Sequence, residues 1–273
     1  MSAHAHEAYH HGGGLAQLLP LAAVALLLCG YLVPAARRRR EARGWSTWRT
    51  ASHVTGVALL AVALAGPVAS FAHTDFRGHM LQHLLIGMFA PLALALGAPM
   101  TLLLRSLRPG QGRRLGKVLR GRACHVFADS WVALTLNVGG LAVLYFTPLY
   151  RITSTNAVAH QLVHVHFLLS GYLFAWVIAG PDPAPRRRSV PTRLLVLGVA
   201  IAVHATLAQL MYAGLFVDVP VPAQRLRGAA EIMYYGGDIA ELLLALALVT
   251  TWRPVRPGSR RPAPAPVAAV RIS

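Results

Sequence analysis

Two pairs of histidines stand four residues apart, His79 with His83 and His160 with His164, and each pair opens a long apolar run. Four residues are about one turn of an α-helix, so the rings of a pair share one face about 6 Å apart along the axis. Imidazoles placed this way can ligate a transition metal or serve as axial ligands of a haem. An ionisable side chain inside hydrocarbon costs roughly 2.5–3.5 kcal/mol on insertion scales, so it is expected to face a bundle interior and a partner. Four histidines at matched depth on two helices point to one shared metal or cofactor site. The alternative is a structural network in which His79 or His164 bonds to Asp238.

Other side chains could complete such a site. His73, Met80, His204 and Met211 are expected as additional ligands or relay positions. In the last apolar run Glu231, Tyr234, Asp238 and Glu241 fall on one helical stripe. Asp238, Tyr234 and Glu231 are the expected hydrogen-bond partners for the second imidazole nitrogens. Thioethers at Met80, Met211 and Met233 beside imidazole favour copper, Cu(I) especially. His166 points some 200° away from His164 and is left outside the cluster. His53 and His125 read as interfacial residues.

The elements that must position these residues follow from composition. Hydrophobic residues make up 55% of the 273 and charged residues 13%, and bilayer-length apolar runs recur along the chain. The expectation is an all-α, polytopic membrane protein, a bundle of seven transmembrane helices near 15–36, 51–72, 79–104, 125–147, 157–180, 192–214 and 229–250. The connection 105–124 is the longest between spans, and it is too short for a soluble catalytic domain. Pro91 and Pro99 are expected to kink the third span. The fourth is expected to contain Asp129 and to leave the membrane at interfacial aromatics, Tyr145-Phe146-Thr147-Pro148-Leu149-Tyr150.

The formal net charge of +17 has a topological explanation. Alternate connections hold, within or beside them, 22 of the 26 Lys and Arg residues. Basic residues near span ends stay cytoplasmic, so the N-terminus is expected outside and the C-terminus inside. Arginine placed this way argues against nucleic acid as a partner. The tail 1–14 carries His4, His6, His10 and His11 and is expected to be external, with the first span retained as an anchor. The Arg/Pro-rich tail 251–273 is expected to be cytoplasmic and disordered. Cys29 and Cys124 differ in depth and form no Cys-x-x-Cys motif, so neither a disulfide nor thiol-based metal handling is expected.

The order His79-Met80-Leu81-Gln82-His83, then Phe146-Thr147-Pro148-Leu149-Tyr150, then His160 to Trp176, Gly180-Pro181-Asp182-Pro183 and the seventh-span run Met233 to Leu246 resembles the CtaG family. These are membrane proteins associated with assembly of caa(3)-type cytochrome c oxidase. The resemblance covers roughly residues 50 to 250. It implies a non-enzymatic role at the plasma (inner) membrane, with cytochrome c oxidase subunits and the lipid bilayer as partners and copper delivery or insertion as the task. The family's motif histidines fall on His79, His83, His160 and His164, and its acidic seventh-span position on Asp238. Phe146-Thr147 and Ala223-Gln224 stand where many members carry Trp-His and Asp-Gln.

Two other classes use similar residues. A b-type haem electron carrier would use the histidines as axial ligands. A proton- or metal-coupled transporter would use the Glu231, Asp238 and Glu241 stripe as its relay. A retinal protein is excluded, because the only lysine is Lys117 and the seventh span has none.

Overall fold

A computed structural model describes residues 4–42, 44–185 and 187–252, with side chains from Pro20 onward. The side chains of the N-terminal histidines therefore lie outside what is described, as does the whole tail beyond Trp252. In chain order the helices are α1 (His4–Arg39), α2 (Thr47–Leu64), α3 (Gly66–Thr74), α4 (Phe76–Leu84), a π-helical turn (Leu85–Phe89), α5 (Ala90–Leu96) and α6 (Pro99–Ser106). There follow α7 (Pro109–Leu119), α8 (Arg122–Phe127), α9 (Ser130–Phe146), α10 (Leu149–Thr155), α11 (Ala157–Ile178), α12 (Val190–Ala213) and α13 (Ala223–Thr251). No strand occurs among the described residues. In hydrocarbon each segment must pair its own backbone groups, and a helix does so without a neighbour.

Five helical stretches are long and apolar enough to cross a membrane: Pro20–Arg39, Phe76–Leu96, α11, α12 and α13. Two bent pairs, α2 with α3 and α9 with α10, bring the number to seven if each pair is one span. The chain is a multi-pass helical membrane protein, as its composition requires.

The bends have local causes. The α2–α3 pair turns by 42° at an extended Ala65 followed by Gly66 at φ +70, and Pro67 then starts the new helix. The third span, expected to run to 104, ends at Leu96. Ala98 takes a left-handed conformation (φ 53) and Pro99 opens α6 as a separate helix. Asp182, from the Gly-Pro-Asp-Pro turn after α11, accepts the backbone N–H groups of Met100 (2.9 Å) and Thr101 (2.7 Å) and so caps that broken end.

The fourth span also starts later than expected. Asp129 is not within it: its carboxylate caps α9 by accepting the Trp131 N–H at 3.0 Å and pairs with Arg188 at 2.5 Å. A helix start satisfies its free N–H groups with such a side chain, so the carboxylate stays at the edge of the span. The 78° turn between α9 and α10 follows Pro148, which precedes the first residue of α10.

Beside a small buried group of Tyr31, Ala35, Trp45, Ala98 and Leu102, two large buried cores fill the bundle. The one near the histidines joins Met80, Tyr145, Phe167, Met211 and Met233. The other, toward the opposite end, joins Leu92, Phe174, Ile178, Leu197 and Leu248. Helix α11 packs on α5 and on the π-helical turn, and α13 packs on α4 and α12. The third and fifth spans therefore touch, which is the condition the two histidine pairs need in order to form one site.

Candidate metal centre

The two histidine helices begin in the same way. Asp75 caps α4 by accepting the Arg77 N–H at 2.9 Å, and Asn156 caps α11 by accepting the Ala159 N–H at 3.0 Å. The backbone carbonyl of each cap receives the N–H of the first histidine, His79 on Asp75 at 3.1 Å and His160 on Asn156 at 3.0 Å. Cap, first histidine and second histidine thus recur at intervals of four residues on both helices. Side-chain oxygens at such starts satisfy N–H groups that a helix leaves unpaired.

The four rings form a closed circuit. Ring centres are 4.4 Å apart for His79 and His83, 5.5 Å for His83 and His164, 4.3 Å for His164 and His160, and 5.9 Å for His160 and His79. His79, His83 and His164 are 6%, 4% and 6% exposed, while His160 is half-buried at the mouth of the group. Both ring nitrogens of His83 and His164, and Nε2 of His79, are buried without a hydrogen-bonding partner. Buried polar atoms are ordinarily paired, so five orphaned nitrogens in one place call for an occupant.

The donor chemistry of these residues suits a metal ion, and their ring spacing is compatible with one. Two imidazoles sharing one ion at roughly 2.0–2.1 Å per metal–nitrogen bond hold their ring centres on the order of 5 Å apart. The rings meet at interplanar angles of 45° to 68°. Among the described residues no three His, Cys, Asp or Glu side chains stand in a ready coordinating arrangement. Ring rotation about χ2, a broad torsion for histidine, is the motion that would bring the nitrogens together.

The other expected residues separate. Met80 is 1% exposed and receives the Tyr145 hydroxyl at 4.0 Å on its sulfur, and Met211 is buried in the same core. His73 is exposed at the end of α3. His204 lies deeper, beside Glu241. His166 turns to α9, where Nε2 stands 3.2 Å from the Leu136 carbonyl oxygen, outside the cluster as its spacing indicates.

The expected hydrogen-bond shell is not formed in this arrangement of the rings. No hydrogen bond joins Asp238, Tyr234 or Glu231 to the four rings, whose orphaned nitrogens have no partner at all. Glu231 is exposed and Asp238 half-exposed, whereas Glu241 is 4% exposed. The acidic stripe is split because successive steps of seven and three residues drift around the helix, and α13 buries only the face carrying Gly237 and Glu241.

Aromatic side chains line the cluster in their place. Tyr150 lies 5.4 Å from His79 between ring centres, Tyr145 6.4 Å from His79 and 6.2 Å from His83, and Phe167 4.7 Å from His83. Tyr145 and Tyr150 were expected as interfacial anchors. The sharp turn after α9 brings Tyr150 against His79 instead, and Tyr145, in the last turn of α9, is fully buried. Their aromatic type was legible, but the direction of that turn was not. His53, expected at the interface, is 4% exposed and stacked on Tyr31 with ring centres 3.8 Å apart.

Comparison with known proteins adds to this geometry. An uncharacterized protein of Mycobacterium bovis and one of Mycobacterium tuberculosis are each 31% identical over 252 residues, covering 85% of this chain and 38% of theirs. One of Mycobacterium leprae is 28% identical over 254 residues, with the same coverage. The chain thus spans well under half the length of the curated relatives it matches. No solved structure matches significantly. Residues 29–254 match the family described as cytochrome c oxidase caa3 assembly factor, and with most of its length so matched the chain belongs to that family, CtaG.

Proposed function

We propose that the chain is a membrane assembly factor for cytochrome c oxidase that binds copper through His79, His83, His160 and His164 and aids its delivery to oxidase subunits. The observation that carries this reading is the closed circuit of four rings whose buried nitrogens lack partners. The family description supplies the oxidase. Imidazole with the thioethers of Met80 and Met211 at hand suits Cu(I). With the orientation expected from the arginine distribution, the cluster faces the external side of the membrane and half-buried His160 is the point of entry.

Adjacent ring centres stand only 4.3–5.9 Å apart at interplanar angles of 45° to 68°, a spacing too tight for a macrocycle between neighbouring rings, which favours a single ion over haem b. Of the acidic residues proposed for a transport relay, only Glu241 is buried, which disfavours a continuous proton path along α13.

The test is metal analysis with an optical spectrum on purified protein, wild type beside a variant with all four histidines changed to alanine. More copper bound by the wild type than by the variant, together with loss of copper from oxidase in cells carrying the variant, is the expected result. Equal copper in both proteins, or normal oxidase copper content with the variant, rejects the reading. A Soret band would favour haem instead.

A further inference from the structure

One interior histidine and one interior carboxylate take no part in the four-ring circuit, and they meet each other. His204 of α12 and Glu241 of α13 are each 4% exposed. His204 Nδ1 stands 3.6 Å from Glu241 Oε1, beyond hydrogen-bonding range. That nitrogen and Glu241 Oε2 are buried with no partner. A buried carboxylate and imidazole left this way carry an uncompensated desolvation cost, which a group bound beside them would offset.

There is space for such a group. A cavity of about 30 Å³ is bounded by His204 and Glu241 together with Asn137, Met80, Met233 and His83. A second cavity of about 30 Å³ reaches Glu241 and Asn137 from the other side. This is room for one small ion or a water molecule, not for an organic ligand. The wall offers two imidazoles, a carboxylate, an amide and the thioethers of Met80, Met88 and Met233. Soft sulfur and imidazole donors select a cuprous ion, and the single carboxylate matches its single charge in a medium where charge is costly.

The backbone is shaped to hold His204 there. A Cβ at Gly237 of α13 would run into Cε1 and Nδ1 of the His204 ring. Any other residue at 237 pushes the imidazole away from Glu241. His83 is a wall of the cavity and a member of the four-ring circuit at once, so the two sites share a boundary.

We propose that His204, Glu241 and Met233, with Asn137 and Met80, form an inner station that takes one cuprous ion passed on from His83. The supply of that ion rests on the four-histidine reading, whereas the ligands of the station do not. Transfer exchanges one set of donor bonds for another. No electron moves and the ion stays Cu(I).

Purified full-length protein titrated with Cu(I), under reductant and against a chromophoric chelator, tests the station. Wild type is expected to take two ions per chain. His204→Gln, Glu241→Gln and Gly237→Ala should each take one, and the variant lacking all four outer histidines should also take one. A single ion in the wild type, kept by His204→Gln and Glu241→Gln but lost with the four histidines, overturns the station and leaves the outer site standing. An ion that survives loss of the four histidines and disappears in His204→Gln has the opposite meaning. X-ray absorption of the loaded wild type gives a readout free of folding effects: a sulfur shell is expected, and nitrogen and oxygen neighbours alone overturn the proposal.

Discussion

Gly171 of α11 lies directly against the backbone carbonyl of Gly87 in the π-helical turn, so closely that a Cβ at 171 would overlap the carbonyl oxygen. Pro91, four residues beyond Gly87, has no N–H to give that carbonyl, and the widened turn before it lets the chain pass the proline. This contact sits one to two turns below His83 and His164 and sets how near their helices come.

Gly171→Ala should therefore act at a distance from the cluster. It forces two backbones apart in a packed region, at a cost of about 1–3 kcal/mol. The expected outcome is a lower melting temperature in detergent and weaker copper binding, although no histidine is changed. Unaltered copper affinity would show that the helix spacing does not govern the site.

Single histidine substitutions should sort by ring direction. His164→Ala is expected to lower copper binding at least tenfold, because it opens the circuit between His83 and His160. His166→Ala, whose ring faces the Leu136 carbonyl, should leave binding unchanged within twofold. Chelator competition on the two variants side by side distinguishes them.

Asp182 is fully buried and takes both Met100 and Thr101 N–H groups and, at 2.5 Å, the Thr101 hydroxyl. Asp182→Ala leaves these donors unpaired and should cost about 1–3 kcal/mol. Thr101→Val removes only the hydroxyl and should cost less. Thermal unfolding of both, with copper binding retained in each, would mark Asp182 as a structural cap.

The turn before α4 should respond to acid. The Arg77 guanidinium bonds Asp75 through Nε and Nη2, each at 3.0 Å, and holds its carboxyl down to about 2 from the usual 3.8. A depressed carboxyl binds fewer protons folded than unfolded, so its contribution is full above 3.8 and fades as pH falls toward 2. Wild type should lose a small increment of melting temperature over that window, smaller still at high salt, and Asp75→Asn should lose none. Equal acid sensitivity in both proteins would remove Asp75 from the account.

The class of fold and the members of the cluster were legible because both depend on short-range pattern. Apolar runs of bilayer length declare helices whatever their neighbours, and a four-residue spacing puts two rings on one face in any α-helix. The same periodicity correctly set His166 aside. What lay beyond the sequence depended on breaks and on which face of a helix meets another. Ala98 and Pro99 end the third span early, Asp129 becomes a cap and not an intramembrane charge, and the turn after α9 carries Tyr150 inward beside a buried Tyr145. The stripe on α13 reads as continuous along one helix, yet only packing against α12 and α4 decides that Glu241 is buried while Glu231 faces outward. Adjacency of α11 to the π-helical turn turned two local pairs into one group of four, and that adjacency rests on two glycines distant in sequence whose lack of side chains lets the backbones meet.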